Sequence, residues 1–277
     1  MQKQLCKFQK SVLILFSVVL LTGCKNENRT EVDEEASNAA NDTLSEFASE
    51  PLVTDNFTAD PSAHVFEGKI YIYPSRDWDS GVPEDDTGAH FNMKDYHVYS
   101  MDSAGGQVTD HGKVLDVEDV PWAARQMWAP DAAEKNGKYY LYFPAKDTAD
   151  IFRIGVAVGD SPAGPFTPEA EPMEGSYSID PAVYKDTDGT YYMYVGGIWG
   201  GQLQRYRDNE YKGEEDVYPG DDEPALAPKV AKLSDDMLSF AEELRDVQIL
   251  DENGDPITTG DNDRRFFEAA WVHKYND

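Results

Sequence analysis

Apolar and polar residues alternate with a period of two in several short runs of the chain, and this pattern predicts β-strands. The clearest runs are rich in tyrosine: KIYIYPSRD, KYYLYFPAKD and TYYMYVGG. Each run follows a turn signal, Glu67-Gly68, Asn136-Gly137 or Asp188-Gly189, which favours a tight hairpin. Because successive side chains of a strand face opposite sides, one face of each run is expected to be buried. No stretch of comparable length has the helical period, so the sequence predicts an all-β fold.

The hairpins belong to a repeat that has an acid at its head. Its copies begin at Asp60, Asp131, Asp180 and Glu268, so the starts are 71, 49 and 88 residues apart. This spacing leaves room for about four short strands in each copy, which is typical of a β-propeller, with a two-sheet sandwich as the alternative. In a propeller the first strand of each copy lines a central axis, so the acids are expected to meet in one pocket.

The fourth copy stops at Asn276-Asp277, where the other copies continue through a glycine into a tyrosine-rich strand. We therefore expect three blades and the first strand of a fourth blade, in a chain that is truncated at its C-terminus. A propeller is protected by the closure of its ring of blades. Such a chain would expose unpaired strand edges, so we expect it to be inactive and prone to aggregate.

The N-terminal part of the sequence is not expected to belong to the fold. Residues 1–23 have a lysine-rich start, a short apolar run and small residues before Cys24, as in a secretory signal peptide. The Leu-Thr-Gly-Cys ending resembles a bacterial lipobox, which would make Cys24 a lipidated first residue and anchor the exported protein to a membrane. Residues 24–50 are polar and acidic and are expected to form a disordered tether. The domain then occupies residues 51–277.

The charge of the chain restricts its partners. It has 53 acidic and 24 basic residues, giving a net charge of −29. Such a field repels nucleic acids and polyanionic polysaccharides, so the sequence predicts a neutral ligand or a cation. With 2 cysteines, one of them in the signal peptide, a disulfide framework is excluded.

The sequence does not predict a metal site. The 5 histidines lack the spacing of metal ligands. The DTDG stretch at Asp186 resembles the start of a calcium loop, but it has no glutamate in register downstream, and a hairpin turn explains it.

Several motifs in order resemble glycoside hydrolase family 43, and the resemblance runs from about residue 51 to the end of the chain. The motifs are TADPSAHVF, KDYHVYS, RQMWAPDAAEKNGKYYLYFPAKD, FRIGVAVGDSPAGPF, GSYSIDPAVYKDTDG, GGIWGGQLQ and RFFEAAWVHKY. The resemblance implies a five-bladed β-propeller, an inverting mechanism, and relatives that are β-xylosidases and α-L-arabinofuranosidases. It implies no required cofactor. Members often hold a structural calcium ion at the propeller centre, but its usual histidine ligand would lie beyond Asp277.

The resemblance also implies roles for three acids. Asp60 matches the general base, Asp180 the carboxylate that positions and tunes the acid, and Glu268 the general acid. Asp60 and Asp180 each precede a proline, so turn formation is the alternative explanation for both. Glu268 lies in an aromatic segment where an unpaired carboxylate would cost several kcal/mol, roughly, which argues for a function. The family assigns no catalytic role to Asp131, which we expect to be structural or to line the pocket.

Three further residues are candidates for substrate binding. Trp128 and Trp199 could each present an aromatic face to a sugar ring, with core packing as the alternative. Gln202 could bind sugar hydroxyls, with a solvated turn as the alternative.

Together these observations predict an exported lipoprotein that removes terminal β-D-xylosyl or α-L-arabinofuranosyl residues from plant xylan or arabinoxylan. Its partner would be a neutral oligosaccharide of the plant cell wall, and its membrane contact would be through the lipid anchor only. The alternatives are a non-catalytic carbohydrate-binding propeller and an inactive truncated product.

Overall fold

The computed structural model describes residues 51–275, in which the regular structure consists of β-strands and three one-turn 3₁₀ segments. The strands are β1 (Phe57–Phe66), β2 (Lys69–Asp77), β3 (Asp95–Met101), β4 (Thr109–Asp116), β5 (Ala123–Arg125), β6 (Asp131–Lys135), β7 (Lys138–Asp147), β8 (Phe152–Gly159), β9 (Thr167–Pro168), β10 (Ala182–Lys185), β11 (Tyr191–Val195), β12 (Tyr206–Arg207), β13 (Glu210–Tyr211), β14 (Lys229–Lys232) and β15 (Arg245–Asp246). The 3₁₀ segments are Val117–Asp119, Trp199–Gly201 and Leu203–Arg205. The prediction of an all-β fold is confirmed. In the described range, no helix has the length and apolar character that a membrane span requires.

The predicted signal peptide, residues 1–23, the lipidation site at Cys24 and the tether, residues 24–50, lie outside the described residues. They stay predictions.

The strands form three sheets and a small hairpin. Sheet A has the order β1-β2-β3-β4, and sheet C has the order β10-β11-β14-β15. In sheet B, β7 pairs with β8 and β8 with β9, while β5 and β6 pair with successive parts of the other edge of β7. The β12–β13 hairpin lies between β11 and β14 in the sequence. All strand pairs are antiparallel, as expected for strands that follow one another through turns.

The turn signals lead to the predicted hairpins. Glu67-Gly68 and Asn136-Gly137 each form a two-residue turn with φ positive at both positions, which is the type I′ geometry that matches the twist of antiparallel strands. The third hairpin differs, because Lys185 pairs with Tyr191 and leaves a five-residue connection that contains Gly189.

Two apolar cores lie between the sheets. One contains side chains of sheets A and B, including Tyr73, Tyr96 and Leu141. The other contains side chains of sheets B and C, including Ile154 and Met193. The first strands of the three repeats, β1, β6 and β10, lie next to one another, since β6 contacts both β1 and β10. This arrangement brings the heads of the three repeats to one place.

The expected first strand of a fourth blade is not formed in the described residues. Residues 266–275 are irregular, although their aromatic and apolar content predicts a strand. Strand propensity depends on a neighbouring strand to pair with, and none pairs with this segment within residues 51–275. Its position is set instead by single contacts, such as the hydrogen bond of 2.9 Å from the Ile198 N–H to the Phe267 carbonyl.

Candidate active site

A cavity of about 1200 Å³ opens at the heads of the three repeats. Its lining includes Asp60 from sheet A, Asp180 beside sheet C, and Glu268 from the irregular C-terminal segment. The structure therefore brings together three carboxylates that are far apart in the sequence.

Asp60 is placed by a β-bulge in β1. Ala59 pairs with Ser75 and Ser62 pairs with Tyr73, so two residues of β1 lie opposite the single residue Pro74 of β2. Pro74 has no backbone N–H, so the interruption of the ladder at this residue does not cost an N–H hydrogen bond. Asp60 itself has φ 46°, in the left-handed region that few residues other than glycine, asparagine and aspartate adopt. The bulge turns its side chain out of the ladder and into the cavity.

Asp180 has a similar local conformation just before β10. It has φ 56° and precedes Pro181, as Asp60 precedes Pro61. One of its carboxylate oxygens accepts a hydrogen bond of 3.0 Å from the backbone N–H of Ala269. Asp180 thus holds the residue that directly follows Glu268.

Glu268 approaches sheet C closely. A Cβ atom placed on Gly197 would lie 3.2 Å from the Cβ of Glu268 and 2.6 Å from the side chain of Ile179, so a larger residue at position 197 would displace this wall of the cavity. Ala269 has φ 59° and its N–H donates to Asp180, so the chain bends directly after Glu268 and beside that carboxylate.

The prediction that Asp131 heads its repeat as Asp60 does is wrong by two positions. Counted back from the glycine of each hairpin turn, Asp131 corresponds to Ser62, and Ala129 corresponds to Asp60. Ala129 lines the cavity and Asp131 does not. Asp131 is instead buried, with 1% of its surface exposed, and is hydrogen-bonded to His64. Of the two expectations for this residue, the structural one is correct.

Desolvation and mutual repulsion raise the pKa values of the acids in the cavity. Desolvation, followed by the charge of Glu268, raises the pKa of Asp180 to about 8, against the opposing effect of the Ala269 N–H. Desolvation, followed by the charge of Asp60, raises the pKa of Glu268. The family resemblance implies that Asp180 tunes the acid, but the like charge that raises the pKa of Glu268 belongs to Asp60. The raised pKa values of Asp180 and Glu268 suit a site in which one carboxyl group donates a proton near neutral pH.

The raised pKa of Asp180 predicts a pH-dependent stability. Its unfolded-state pKa is near 3.8 and its folded-state pKa is about 8, so the folded protein binds this proton more tightly. The stabilisation is complete below about pH 4 and is lost as the pH rises toward 8. In Asp180→Asn, which cannot ionise, we expect the melting temperature to fall less over this range than in the wild type, by roughly 5 °C. Thermal unfolding of both proteins between pH 4 and 9 measures the difference, and parallel curves would contradict it.

The two candidate tryptophans differ in their surroundings. Trp199 lines the cavity with 55% of its surface exposed and makes an edge-to-face contact of 5.2 Å with Phe267. Trp128 also lines the cavity, but its indole N–H donates to the Phe91 carbonyl at 2.7 Å and its ring packs 4.7 Å from Phe152. Trp199 is therefore free to contact a sugar, whereas Trp128 mainly supports the loop around Phe91.

The structure does not support the prediction that Gln202 binds substrate. Gln202 is buried, with 2% of its surface exposed, and is not part of the cavity lining. Its amide oxygen accepts from the Phe152 N–H at 3.0 Å, and its amide nitrogen donates to the Asp150 carbonyl at 2.8 Å. Both polar ends are used to join sheet B to the turn after Trp199.

The polar residues of the cavity that the sequence analysis missed include Asp77, Arg205, Asp216 and Tyr218. Asp77 ends β2 close to Asp60, and desolvation, followed by the charge of Asp60, raises its pKa. Arg205 and Asp216 form an ion pair at 2.8 Å. Asp77 could have been found, because the Tyr-Pro-x-x-Asp ending of β2 recurs in β7 as Phe-Pro-x-x-Asp.

No group of three or more histidine, cysteine, aspartate or glutamate side chains within residues 51–275 is arranged to hold a metal ion.

Comparisons with known proteins confirm the family resemblance of the motifs. The profile of Glycosyl hydrolases family 43 matches residues 49–225. A xylosidase/arabinosidase of Bacteroides ovatus is 63% identical over 226 residues, which are 81% of this chain and 69% of that protein. Xylosidase/arabinosidase 43A of Humicola insolens is 59% identical, over 82% of this chain and 72% of that protein.

Two similar solved structures also belong to enzymes of glycoside hydrolase family 43. The family 43 β-xylosidase/α-arabinofuranosidase CoXyl43 from a compost metagenome, crystallised with xylotriose in a calcium-free form, has a TM-score of 0.81 and 68% identity. The match covers 82% of this chain and 70% of CoXyl43. A Xanthomonas citri enzyme in complex with xylotriose has a TM-score of 0.78 and 56% identity, over 86% of this chain and 70% of that enzyme.

Proposed function

Because this chain belongs to glycoside hydrolase family 43, we propose that it removes terminal β-D-xylosyl or α-L-arabinofuranosyl residues from xylan or arabinoxylan oligosaccharides. The observation that carries the proposal is the convergence of Asp60, Asp180 and Glu268, from three separate segments, on one open cavity. The names of the similar enzymes and their complexes with xylotriose support the pentose substrate.

We assign the general acid to Glu268. Desolvation, followed by the charge of Asp60, raises its pKa and so favours the protonated form, and Glu268 lines the cavity. In the reaction, Glu268 transfers its proton to the glycosidic oxygen while the bond between that oxygen and the anomeric carbon breaks. The leaving sugar departs as a neutral alcohol.

We assign the general base to Asp60, which the bulge in β1 presents to the cavity on a different element from Glu268. Asp60 takes a proton from a water molecule, whose oxygen forms the new bond to the anomeric carbon. Asp180 takes no part in bond making. It holds the Ala269 N–H and, with a pKa of about 8, carries its own proton at neutral pH, so it adds little negative charge to the cavity.

The surroundings of the acids suit a neutral sugar. Trp199 offers an exposed aromatic face at the cavity wall, and Arg205 and Tyr218 offer hydrogen-bond donors. The many acids of the lining would repel an anionic substrate. We further propose that sheets A, B and C are three blades of a five-bladed propeller, a proposal supported by their repeated hairpins and by the side-by-side packing of β1, β6 and β10.

The stereochemistry of the product tests this function. If water attacks from the face opposite the leaving group, the first sugar released from an aryl β-xyloside is α-xylose. Proton NMR during the first minutes of hydrolysis by the full-length protein, before mutarotation, distinguishes the anomers. Release of β-xylose would mean that a carboxylate acts as a nucleophile, and the absence of turnover on xylosides and arabinofuranosides alike would favour a carbohydrate-binding protein.

A further inference from the structure

His64 and Asp131 form a link between β1, β6 and β10, the first strands of the three repeats, in which Asp131 is buried. His64 Nε2 lies 2.5 Å from one carboxylate oxygen of Asp131, and the side chain of Asp131 is 1% exposed. The other oxygen accepts the backbone N–H of Val183 at 2.6 Å. One carboxylate thus joins β1, β6 and β10, and neither Asp131 nor His64 lines the cavity.

Each partner in this link lies close in sequence to one of the cavity acids. His64 follows Asp60 by four residues in β1, and Val183 follows Asp180 by three. The ring of His64 also lies 5.7 Å from the ring of Trp271, which follows Glu268 by three residues. The three segments that carry the carboxylates therefore meet at the same pair of side chains.

We propose that Asp131, together with His64, is a positioning element that fixes the three carboxylates relative to one another. The proposal rests on the function proposed above. Catalytic groups must be held to within about 0.5 Å, and a displacement of about 1 Å can lower the rate by roughly 10²-fold. A buried carboxylate that accepts two hydrogen bonds is a rigid support, because loss of either bond would leave a buried polar group unpaired.

The general acid depends on this link more than the general base does. Asp60 belongs to a ten-residue strand that pairs along its length with β2. Glu268 belongs to an irregular segment. Besides the Ile198–Phe267 hydrogen bond, two contacts next to the acid hold this segment, the Asp180–Ala269 hydrogen bond and the packing of Trp271 on His64. Both of these contacts are connected to Asp131. The first is connected through Val183, which follows Asp180 in the chain and donates to Asp131, and the second through His64, which is hydrogen-bonded to Asp131. Weakening the link should therefore impair proton donation most.

The test compares Asp131→Asn with the wild type in the full-length protein on two substrates. Xylobiose has a poor leaving group that needs the general acid, whereas an aryl β-xyloside with an acidic phenol needs it little. We expect kcat for xylobiose to fall by about 10–100-fold and kcat for the aryl xyloside to fall by less than about tenfold, with KM changed by less than about threefold. A merely structural role would lower the active fraction and so reduce both rates by the same factor.

Asp95→Asn is the matched control. Asp95 is also buried, with 2% of its surface exposed, and is ion-paired, with Arg76, but it lies on β3 and does not line the cavity. We expect this variant to lose stability without changing the ratio of the two rates.

A second pair of variants keeps the proposal testable if Asp131→Asn does not fold. His64→Gln retains an N–H donor within reach of Asp131, and His64→Leu does not. We expect the glutamine variant to keep most of the xylobiose activity and the leucine variant to lose it selectively. Equal loss on both substrates, or equal activity of the two His64 variants, would overturn the positioning role. A wild-type protein that hydrolyses neither substrate would instead overturn the proposed xylosidase function.

Discussion

Glu268→Gln is expected to lower kcat/KM for xylobiose by about 10²–10⁴-fold, the usual contribution of general acid catalysis. Glutamine keeps the shape of the side chain and removes the proton that would be transferred to the glycosidic oxygen. The loss should shrink markedly on an aryl β-xyloside with an acidic phenol, because that group leaves without being protonated. Steady-state kinetics of the full-length variant on a series of aryl xylosides measures this dependence as a steeper slope of log kcat/KM against leaving-group pKa.

Glu243→Gln provides the control, since Glu243 is exposed and does not line the cavity. It should behave as the wild type on every substrate. If Glu268→Gln retains xylobiose activity within about twofold of the wild type, Glu268 is not the general acid.

Asp60→Asn should lower kcat/KM by a similar factor of about 10²–10⁴, but equally for all leaving groups. The missing step is the deprotonation of water, which every substrate needs. Asparagine suits the backbone here, because it tolerates the left-handed conformation of residue 60 nearly as well as aspartate does. The expected result is thus a folded and inactive protein, with a melting temperature close to that of the wild type.

Asp55→Asn is the corresponding control, because Asp55 is exposed, precedes β1 and does not line the cavity. A leaving-group slope for Asp60→Asn that resembles that of Glu268→Gln would contradict the assignment of base and acid. Unchanged activity would remove Asp60 from the mechanism.

The features that the sequence predicts well are those with a local physical signal. The period-two tyrosine runs and the turn glycines define the hairpins β1–β2, β6–β7 and β10–β11 because burial of one face and a positive φ both restrict residue choice. The placement of Asp60 and Asp180 at the cavity follows from their position just before the buried part of each first strand.

The features that the sequence does not predict depend on partners elsewhere in the molecule. Asp131 is buried because its hydrogen-bond partners, His64 and the Val183 N–H, lie on two other sheets. Gln202 is buried because it is hydrogen-bonded to the Phe152 N–H of β8 and to the Asp150 carbonyl in the turn before that strand. The irregular path around Glu268 has the same kind of origin, since an aromatic segment becomes a strand only beside another strand.

The left-handed backbone conformation at residues 60 and 180 restricts which acidic residue, aspartate or glutamate, each position tolerates during evolution. Aspartate is several-fold enriched in this conformation, and glutamate is not. An exchange of aspartate for glutamate at position 60 or 180 would therefore keep the charge and still be selected against, because the backbone would be strained and the carboxylate displaced. At the third acid the left-handed residue is the neighbouring Ala269, and Glu268 itself is free to have the longer side chain. The main-chain conformation thus determines whether aspartate or glutamate occurs at each of the three positions as much as the reaction does.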